Sequence, residues 1–301
     1  MNNNVNSPLA VLKRQIKQMV SSLNHEFYDY CYFLPMYGLG DKIAFVSALG
    51  HLRSRNIKIA IIAQREDPLV FIYESVADLL IFSDQQYSPW LHADNYVDYG
   101  NVCSMWHLPY CGGIFEKHGV SENQKGALDS VKGGHKIAVK LCYNIDITLP
   151  LIRPSVLDQF QDATVKDYIF ISPIANSSKS MRPETLKKLA HSISDYGLRV
   201  VLNTANRNQI SSYYQGIGDF EVFSGDVHGA LAAAGASKLA INMRSGISDL
   251  HSAIGLNFLD VYPDAPIPFW SLEEKFFTPP LAELSEDDGI VENIMAIIKK
   301  M

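Results

Sequence analysis

The sequence predicts an α/β protein built from two Rossmann-like, doubly wound domains, and three observations support this prediction. The chain has 301 residues, which is enough for about two domains. Short apolar strands alternate with helices in both halves, as in parallel sheets that are covered by helices. Pro150 and Pro154 interrupt this pattern. We therefore expect one domain at 1–155 and the other at 156–301.

The first half begins with a helix and continues as a β-loop-α-β unit. Apolar residues recur at helical spacing from Ser7 to Leu23. The next elements are a strand at 28–36, a glycine loop at 37–41, a helix at 42–56 and a strand at 58–63. Residues 69–72 and 78–82 continue the α/β layer. From Tyr87 to Pro154 the pattern weakens, as is typical of substrate-facing loops.

The second half alternates five strands with four helices. The expected strands are 168–173, 198–203, 220–223, 238–243 and 257–262, and the expected helices are 183–196, 207–215, 227–236 and 246–254. A final helix follows at 290–300. Short crossovers of this kind produce a parallel, right-handed Rossmann-like domain. Two such halves facing a cleft form the GT-B architecture.

Composition and charge exclude several classes of protein. The net charge is −6, so the basic excess of a nucleic-acid-binding protein is missing. No apolar run has the length of a membrane span, and the N-terminus lacks a signal-peptide pattern. Four scattered cysteines favour the reducing cytoplasm. The first helix is expected to pack on its domain. The alternative is a peripheral contact with the inner membrane through Lys13, Arg14 and Lys17.

The most informative segment is 242–251, at the carboxyl end of a buried strand and the start of a helix. Ligands of open α/β sheets bind at that edge, and the free N–H groups and dipole of a helix start attract phosphate. Gly246 permits a close approach of the backbone. Ser245 adds a hydroxyl group, and Arg244 offers a fork of donors to phosphate oxygens.

The same residue types also fit an ordinary helix cap. In that alternative Ser245 or Ser248 caps the helix, and Asp249 complements its dipole. The strand–turn–helix context and the adjacent Arg244 favour phosphate binding, with Ser248 and Asp249 as further members of the site.

A second loop, at 172–182, follows the first strand of the same domain and is expected at the same sheet edge. It carries Lys179 and Arg182 beside several small hydroxyl and amide side chains. Two interpretations are equally good. The loop contacts a pyrophosphate, or it is a solvated loop that merely starts the next helix.

Asp41 is the candidate catalytic residue of the first domain. It follows a strand and the sequence Gly38-Leu39-Gly40, which fails as a dinucleotide fingerprint because Ile43 occupies the third glycine position. A carboxylate at the cleft edge could act as a general base toward an acceptor hydroxyl. The alternative is an ordinary N-cap aspartate, which is the commoner role of such a residue.

No metal ion is expected. Cys103, His107, Cys111 and His118 are spaced more widely than most zinc ligands. The chain also lacks the D-x-D triad that would hold a divalent ion against a nucleotide diphosphate. This fits a metal-independent transferase better than a metal-dependent one.

Three stretches in order resemble the bacterial ADP-heptose:LPS heptosyltransferases and related GT-B glycosyltransferases of surface-polysaccharide assembly. They are Gly40-Asp41 before an apolar helix, 172–184 and 231–262. The resemblance implies that Asp41 is the base and that the last stretch holds the donor diphosphate. The chain departs from the family pattern at several positions. Arg244 replaces an aspartate and Asp249 a histidine, Lys179 is one residue further from Pro183 than expected, and Met181-Arg182 replaces a tryptophan. The departures indicate a neighbouring group within the superfamily.

The resemblance implies an inverting glycosyltransferase that moves a sugar from a nucleotide-diphosphate donor to a hydroxyl of a glycan or of a lipopolysaccharide or capsule precursor. Residues 1–155 would bind the acceptor and 156–301 the donor, and the nucleotide sugar would be a substrate, with no cofactor. Two alternatives remain. One is a nucleotide-sugar epimerase of the same fold, with Asp226, His228 or His251 as acid or base. The other is a non-catalytic nucleotide- or sugar-binding subunit.

Overall fold

A computed structural model of the chain describes residues 8–35, 38–53, 56–84, 102–104, 152–161, 164–175, 179–204, 220–263 and 277–301. The chain divides into two compact units, Met1–Val156 and Leu157–Met301. Each unit is built on one sheet whose paired strands are parallel, so the predicted α/β class is confirmed. Among the described residues, no helix combines the length and hydropathy that crossing a membrane requires.

The first unit contains a four-stranded sheet. Its strands are β1 (Cys31–Leu34), β2 (Ile59–Ala63), β3 (Leu79–Phe82) and β4 (Val102–Ser104), in the order β3-β2-β1-β4. Its described helices are α1 (Pro8–Ser22), α2 (Leu39–Arg53) and α3 (Val70–Val76), with a 3-10 turn at Phe27–Asp29. Every residue of β2 is buried, which explains its unbroken apolar sequence.

Helix α1 confirms the predicted amphipathic helix. Its residues Ile16 and Val20 are fully buried, whereas Arg14 and Lys17 are exposed. The apolar face of α1 is therefore part of the core of the first unit.

The start of α2 differs from the prediction. The helix begins at Leu39, so Gly40 and Asp41 lie in its first turn rather than in a preceding loop. The N–H of Lys42 donates to the carbonyl of Gly38 at 3.0 Å, which closes that first turn. Residues 70–76 form α3, so most of the apolar run at 69–72 belongs to a helix of the α/β layer.

The second unit contains a six-stranded sheet. Its strands are β5 (Tyr168–Ser172), β6 (Arg199–Asn203), β7 (Glu221–Phe223), β8 (Leu239–Met243), β9 (Phe258–Tyr262) and β10 (Ala282–Ser285), in the order β10-β9-β8-β5-β6-β7. Its described helices are α4 (Pro183–Asp195), α5 (Val227–Gly235), α6 (Gly246–Ile254) and α7 (Ile290–Ile298). The 3-10 turn Ser155–Phe160 spans the boundary between the units. The predicted helix at 207–215 lies outside the described residues, and β10 is an additional strand that was not predicted.

Apolar side chains cover both faces of the second sheet. Helices α4 and α7 pack on one face, where Ile171, Leu189 and Ile294 are fully buried. The small residues Ala230 and Ala234 of α5 pack on the other face. Helix α6 lies on this second face as well, because His251 contacts the rings of Phe170 and Phe258 at 6.5 and 6.2 Å between centroids. Helices thus cover both faces of the sheet, and polar side chains lie at its carboxyl edge.

Candidate functional site

A row of polar side chains crosses the second sheet near its carboxyl edge. Ser172 of β5 pairs in register with Asn242 of β8, Asn242 with Asp260 of β9, and Asp260 with Glu283 of β10. Asn203 of β6 extends the row, since its Nδ2 donates to Ser172 Oγ at 3.1 Å. Registered residues of neighbouring strands point to the same face. The row therefore marks the edge at which open α/β sheets bind ligands.

Arg244 leaves β8 directly above this row and is almost fully enclosed, with a side chain 10% exposed. Its Nη1 and Nη2 donate to the two carboxylate oxygens of Asp249 at 2.9 and 3.0 Å. Nη1 also donates to the carbonyl of Ser245 at 2.7 Å. Its Nε lies 3.9 Å from Asp260 Oδ2. The guanidinium that was predicted to face a phosphate is bound by two carboxylates of its own unit.

Burial and charge oppose each other in this cluster. Burial raises the pKa of Asp260 to about 7, although the neighbouring Arg244 lowers it. Burial also acts to lower the pKa of Arg244, but Asp249 and Asp260 outweigh it and raise that pKa, so the guanidinium stays charged. The cluster is thus held together by a permanent cation between two acidic groups, one of which titrates near neutrality.

Helix α6 begins at this cluster, and its N-terminus is partly capped. Ser245 is the N-cap residue, with extended backbone angles of φ −160° and ψ −179°. The hydroxyl of Ser248 accepts a long hydrogen bond from the Ser245 N–H at 3.5 Å. Within the described part of the chain, the N–H groups of Gly246 and Ile247 donate to no backbone carbonyl. The first turn is therefore capped by a side chain, while two of its backbone N–H groups donate to no backbone carbonyl.

His251 is buried one turn further along α6. Its Nδ1 lies 3.1 Å from Asn242 Nδ2. Burial lowers the pKa of His251 to about 3. The imidazole is neutral at physiological pH, so it is not an imidazolium acid there.

The loop at 172–182 is described at both ends. Lys179 is exposed. Arg182 precedes α4, and its backbone N–H donates to Glu286 Oε1 at 2.7 Å. Its Nη2 donates to the backbone carbonyl of Glu286, also at 2.7 Å. Arg182 thus ties the start of α4 to the residue that follows β10, while Lys179 remains at the surface.

Asp41 lies in the first unit, in the third position of α2. Helix α2 follows β1, so the backbone of Asp41 is at the carboxyl edge of the first sheet. Because the helix already begins at Leu39, Asp41 is in the first turn and not at the cap.

The alternative zinc site rests almost entirely on residues outside the described part of the chain. Cys103 lies in β4, but His107, Cys111 and His118 are not among the described residues. In the part that is described, no group of histidine, cysteine, aspartate and glutamate side chains has the arrangement of a metal site.

Sequence reasoning missed Asp260 as a member of the site. It is a single acidic residue inside the apolar run 257–262, and its side chain is fully buried. An isolated carboxylate in a strand buried on both faces requires a partner. That pattern was the available signal, and the partner is Arg244.

Replacing Asp260 by Asn should change how stability depends on pH. In the wild type, the native state keeps a proton on Asp260 up to about pH 7, whereas the unfolded chain releases it near the ordinary value of 3.8. The native state therefore binds more protons in this window, and its stability falls as the pH rises through it. Asp260→Asn has no such loss, so the melting temperature of the variant minus that of the wild type should increase as the pH rises from about 4 to about 7.

Melting temperatures across this range measure the effect. Asp195→Asn, which removes an exposed carboxylate of the same unit, is the control for a lost negative charge. Parallel curves for the wild type and Asp260→Asn would refute the prediction.

Comparison with known proteins identifies the fold. No protein-family model and no curated protein matches the sequence. Among solved structures, E. coli heptosyltransferase WaaC with ADP matches with a TM-score of 0.59 and 12% identity, over 89% of this chain and 98% of that chain. E. coli ADP-heptose LPS heptosyltransferase II matches with a TM-score of 0.56 and 17% identity, over 90% and 99%.

A glycosyl transferase family 9 protein from Veillonella parvula matches with a TM-score of 0.52 and 15% identity, over 92% of this chain and 91% of that chain. Similarity at this level of identity establishes the fold. The chain has the α/β fold of the bacterial heptosyltransferases, which is of the predicted GT-B type.

Proposed function

We propose that this protein is a glycosyltransferase that moves a sugar from a nucleoside-diphosphate donor to a hydroxyl of a glycan or of a lipopolysaccharide or capsule precursor. One observation carries the proposal. The open first turn of α6 sits at the carboxyl edge of the inner strand β8. It does so in a fold shared with heptosyltransferase WaaC, whose structures contain ADP or ADP-2-deoxy-2-fluoro heptose.

The donor diphosphate is assigned to the start of α6. The N–H groups of Gly246 and Ile247 supply two donors, and the helix dipole adds to the attraction of an anion. The hydroxyl of Ser245 is a third donor, while Ser248 stabilises the turn from inside. Lys179 is exposed in a loop that follows the neighbouring strand β5, and it adds positive charge for the leaving group.

Arg244 takes a different role from the direct phosphate contact that its position suggested. Its bidentate bridge to Asp249 and its bond to the Ser245 carbonyl hold the turn in shape. These bonds already use three of the five guanidinium N–H donors, and Asp249 and Asp260 offset its charge, so less of both is left for a phosphate. We therefore assign Arg244 and Asp249 to positioning the turn, and Arg182 to positioning the second loop through Glu286.

The proposed reaction is an inverting, in-line displacement. An acceptor hydroxyl attacks the anomeric carbon of the donor sugar, its proton passes to the carboxylate of Asp41, and the nucleoside diphosphate leaves. General-base assistance makes a sugar hydroxyl a competent nucleophile. In this assignment residues 1–155 bind the acceptor and residues 156–301 bind the donor.

Isomerisation of a nucleotide sugar is the competing reaction, and three observations favour transfer over it. Asp226 caps α5 by accepting from the Gly229 N–H at 2.7 Å. His228 packs edge-on against Phe160, with ring centroids 4.9 Å apart. His251 is buried and neutral. Asp226 and His228 are therefore engaged within the second unit, and His251 is enclosed and uncharged.

The proposal places the protein in the cytoplasm, with the inner-membrane surface as an alternative for α1. Because Ile16 and Val20 of α1 are already buried, a contact with anionic lipid would depend on the exposed Arg14 and Lys17. Co-sedimentation with anionic and neutral vesicles separates the two, since binding that requires anionic lipid supports the membrane alternative.

Incubation of the purified protein with a panel of nucleoside-diphosphate sugars tests the function as a whole. Product that forms only when a glycan or glycolipid acceptor is added identifies a transferase. An isomerised sugar formed without acceptor identifies an epimerase. Tight binding without turnover identifies a binding subunit, and either of these last two results would overturn the proposal.

Gly246→Pro tests the donor site. Proline is well tolerated in the first position of a helix and needs an extended residue before it, which Ser245 already is. The substitution removes one N–H and leaves the helix in place. A hydrogen bond to a charged group contributes about 1.5–3 kcal/mol, so the affinity for ADP or UDP should fall about tenfold or more.

Calorimetric titration of both nucleotides with Gly246→Pro measures this loss. Gly246→Ala is the matched control, since it adds a side-chain carbon but keeps the N–H, so the difference between the two variants measures the N–H alone. Equal affinities of the proline and alanine variants would remove the α6 amides from the site.

Asp41→Asn tests the proposed base. The amide keeps the shape of the side chain but does not accept the proton, so kcat should fall by about 10²–10⁴-fold while nucleotide affinity and melting temperature stay near those of the wild type. Turnover and melting temperature are measured on the same sample. Normal turnover with lowered stability would identify Asp41 as a residue that merely stabilises the start of α2.

The proposed reaction needs no divalent ion, because the sequence has no D-x-D triad and the helix start and Lys179 provide positive charge for the leaving group. Turnover should therefore be unchanged by EDTA. Activity that disappears with EDTA and returns with Mg²⁺ or Mn²⁺ would contradict this expectation.

A further inference from the structure

The first unit contains a buried ion pair that the proposed reaction does not use. Lys42 Nζ lies 2.7 Å from Asp67 Oδ2, and the two side chains are only 8% and 9% exposed. Lys42 is the residue after Asp41 in the first turn of α2, and Asp67 lies between β2 and α3. We infer that Lys42, Asp67 and Tyr73 form a positioning cluster that fixes the first turn of α2, and with it Asp41, at the carboxyl edge of the first sheet.

Asp67 joins three parts of the chain at once. Besides the Lys42 ammonium, its carboxylate accepts from the backbone N–H of Leu69 at 3.0 Å. The hydroxyl of Tyr73 in α3 donates to the same carboxylate at 3.2 and 3.3 Å. Burial raises the pKa of Tyr73, and Asp67 raises it further, so this hydroxyl keeps its proton. The carboxylate is held by α2, by its own loop and by α3.

Helix stability does not explain the lysine. A cation in the first turn of a helix is opposed by the helix dipole. A buried ion pair also carries a desolvation penalty that well-packed apolar residues of similar size avoid. The pair does fix the distance between the first turn of α2 and the Asp67 loop, because it forms only when these two segments lie side by side. The geometry therefore points to positioning.

The sheet topology explains why the Lys42–Asp67 pair lies close to Asp41. Strands β1 and β2 are adjacent and parallel, with Phe33 opposite Ile61, so the segments that follow them leave the same edge. Lys42 joins those two segments one residue away from Asp41. This inference rests on the proposed role of Asp41, and its experiment needs a measurement that does not depend on turnover.

The double variant Lys42→Met/Asp67→Asn removes the ion pair without leaving a buried charge unpaired. Hydrogen exchange of peptides that cover residues 38–45 is the first measurement, and it needs no ligand. The second is kcat and KM with the donor and acceptor that the nucleotide-sugar panel identifies. Lys58→Met/Asp29→Asn is the matched control, since that pair is exposed, 4.0 Å apart, and lies before β1 and β2 at the opposite edge.

We expect faster exchange in residues 38–45 of the double variant, with a melting temperature close to that of the wild type. We also expect kcat to fall between about tenfold and a hundredfold with donor KM unchanged, since small displacements of a reacting group have effects of this size. The control variant should match the wild type in both measurements. If the double variant does not fold, Tyr73→Phe replaces it, and the same two changes are expected at a few-fold level.

Two results overturn the inference: exchange that is unchanged in residues 38–45, or faster exchange with normal kcat, which would make the cluster merely structural. A wild-type protein without transferase activity would instead overturn the proposed function. In that case exchange still decides whether the cluster fixes the first turn of α2.

Discussion

Parallel pairing of the strands is the constraint on which both units depend. It sends every strand of a sheet in the same direction, so the segments that follow the strands all leave from one edge. In the second unit this brings the α6 turn and the loop after β5 to the same edge, and in the first unit it brings α2 next to the Asp67 loop. Residues far apart in the chain become neighbours there without any long-range sequence signal.

A buried cation organises the edge of the second sheet. Arg244 is enclosed by Asp249 from α6 and by Asp260 from β9, so one guanidinium connects a strand end, a helix start and a neighbouring strand. Its hydrogen bonds to Asp249 and to the Ser245 carbonyl stay within the unit, and among the described residues the N–H groups of Gly246 and Ile247 donate to no backbone carbonyl. In the proposed site, the charge is thus carried by a side chain inside the turn, and ligand binding is assigned to the backbone at the start of α6.

The parts of the fold that sequence alone predicted are those with strong local patterns. Strands β5, β8 and β9 are apolar except for one polar residue each, and all three are buried along their full length. β10 was missed because Ala282–Ser285 is an edge strand with a polar sequence. The early start of α2 was missed because Gly38 and Gly40 favour a loop in local propensity, whereas the backbone bond from Lys42 to Gly38 closes a helical first turn.

The site was predictable only in outline. The turn at Arg244 was identified from strand–turn–helix order, but its pairing with Asp260 is a contact across neighbouring strands, set by register rather than by spacing. Lys42 and Asp67 are 25 positions apart and belong to different segments, so no helical or strand periodicity connects them. Tertiary contacts between buried charges have no local sequence pattern, so a single sequence does not predict them.

The Arg244–Asp260 pair also constrains how this protein can diverge. Replacing only the arginine would leave two acidic groups enclosed without a cation, and replacing only the aspartate would alter the balance around a guanidinium that stays charged. Removing one partner of a buried pair is far more costly than exchanging both. The two positions are therefore expected to be inherited as a unit: lineages that keep an arginine after β8 should keep the acid in β9, and lineages without one should lack the other.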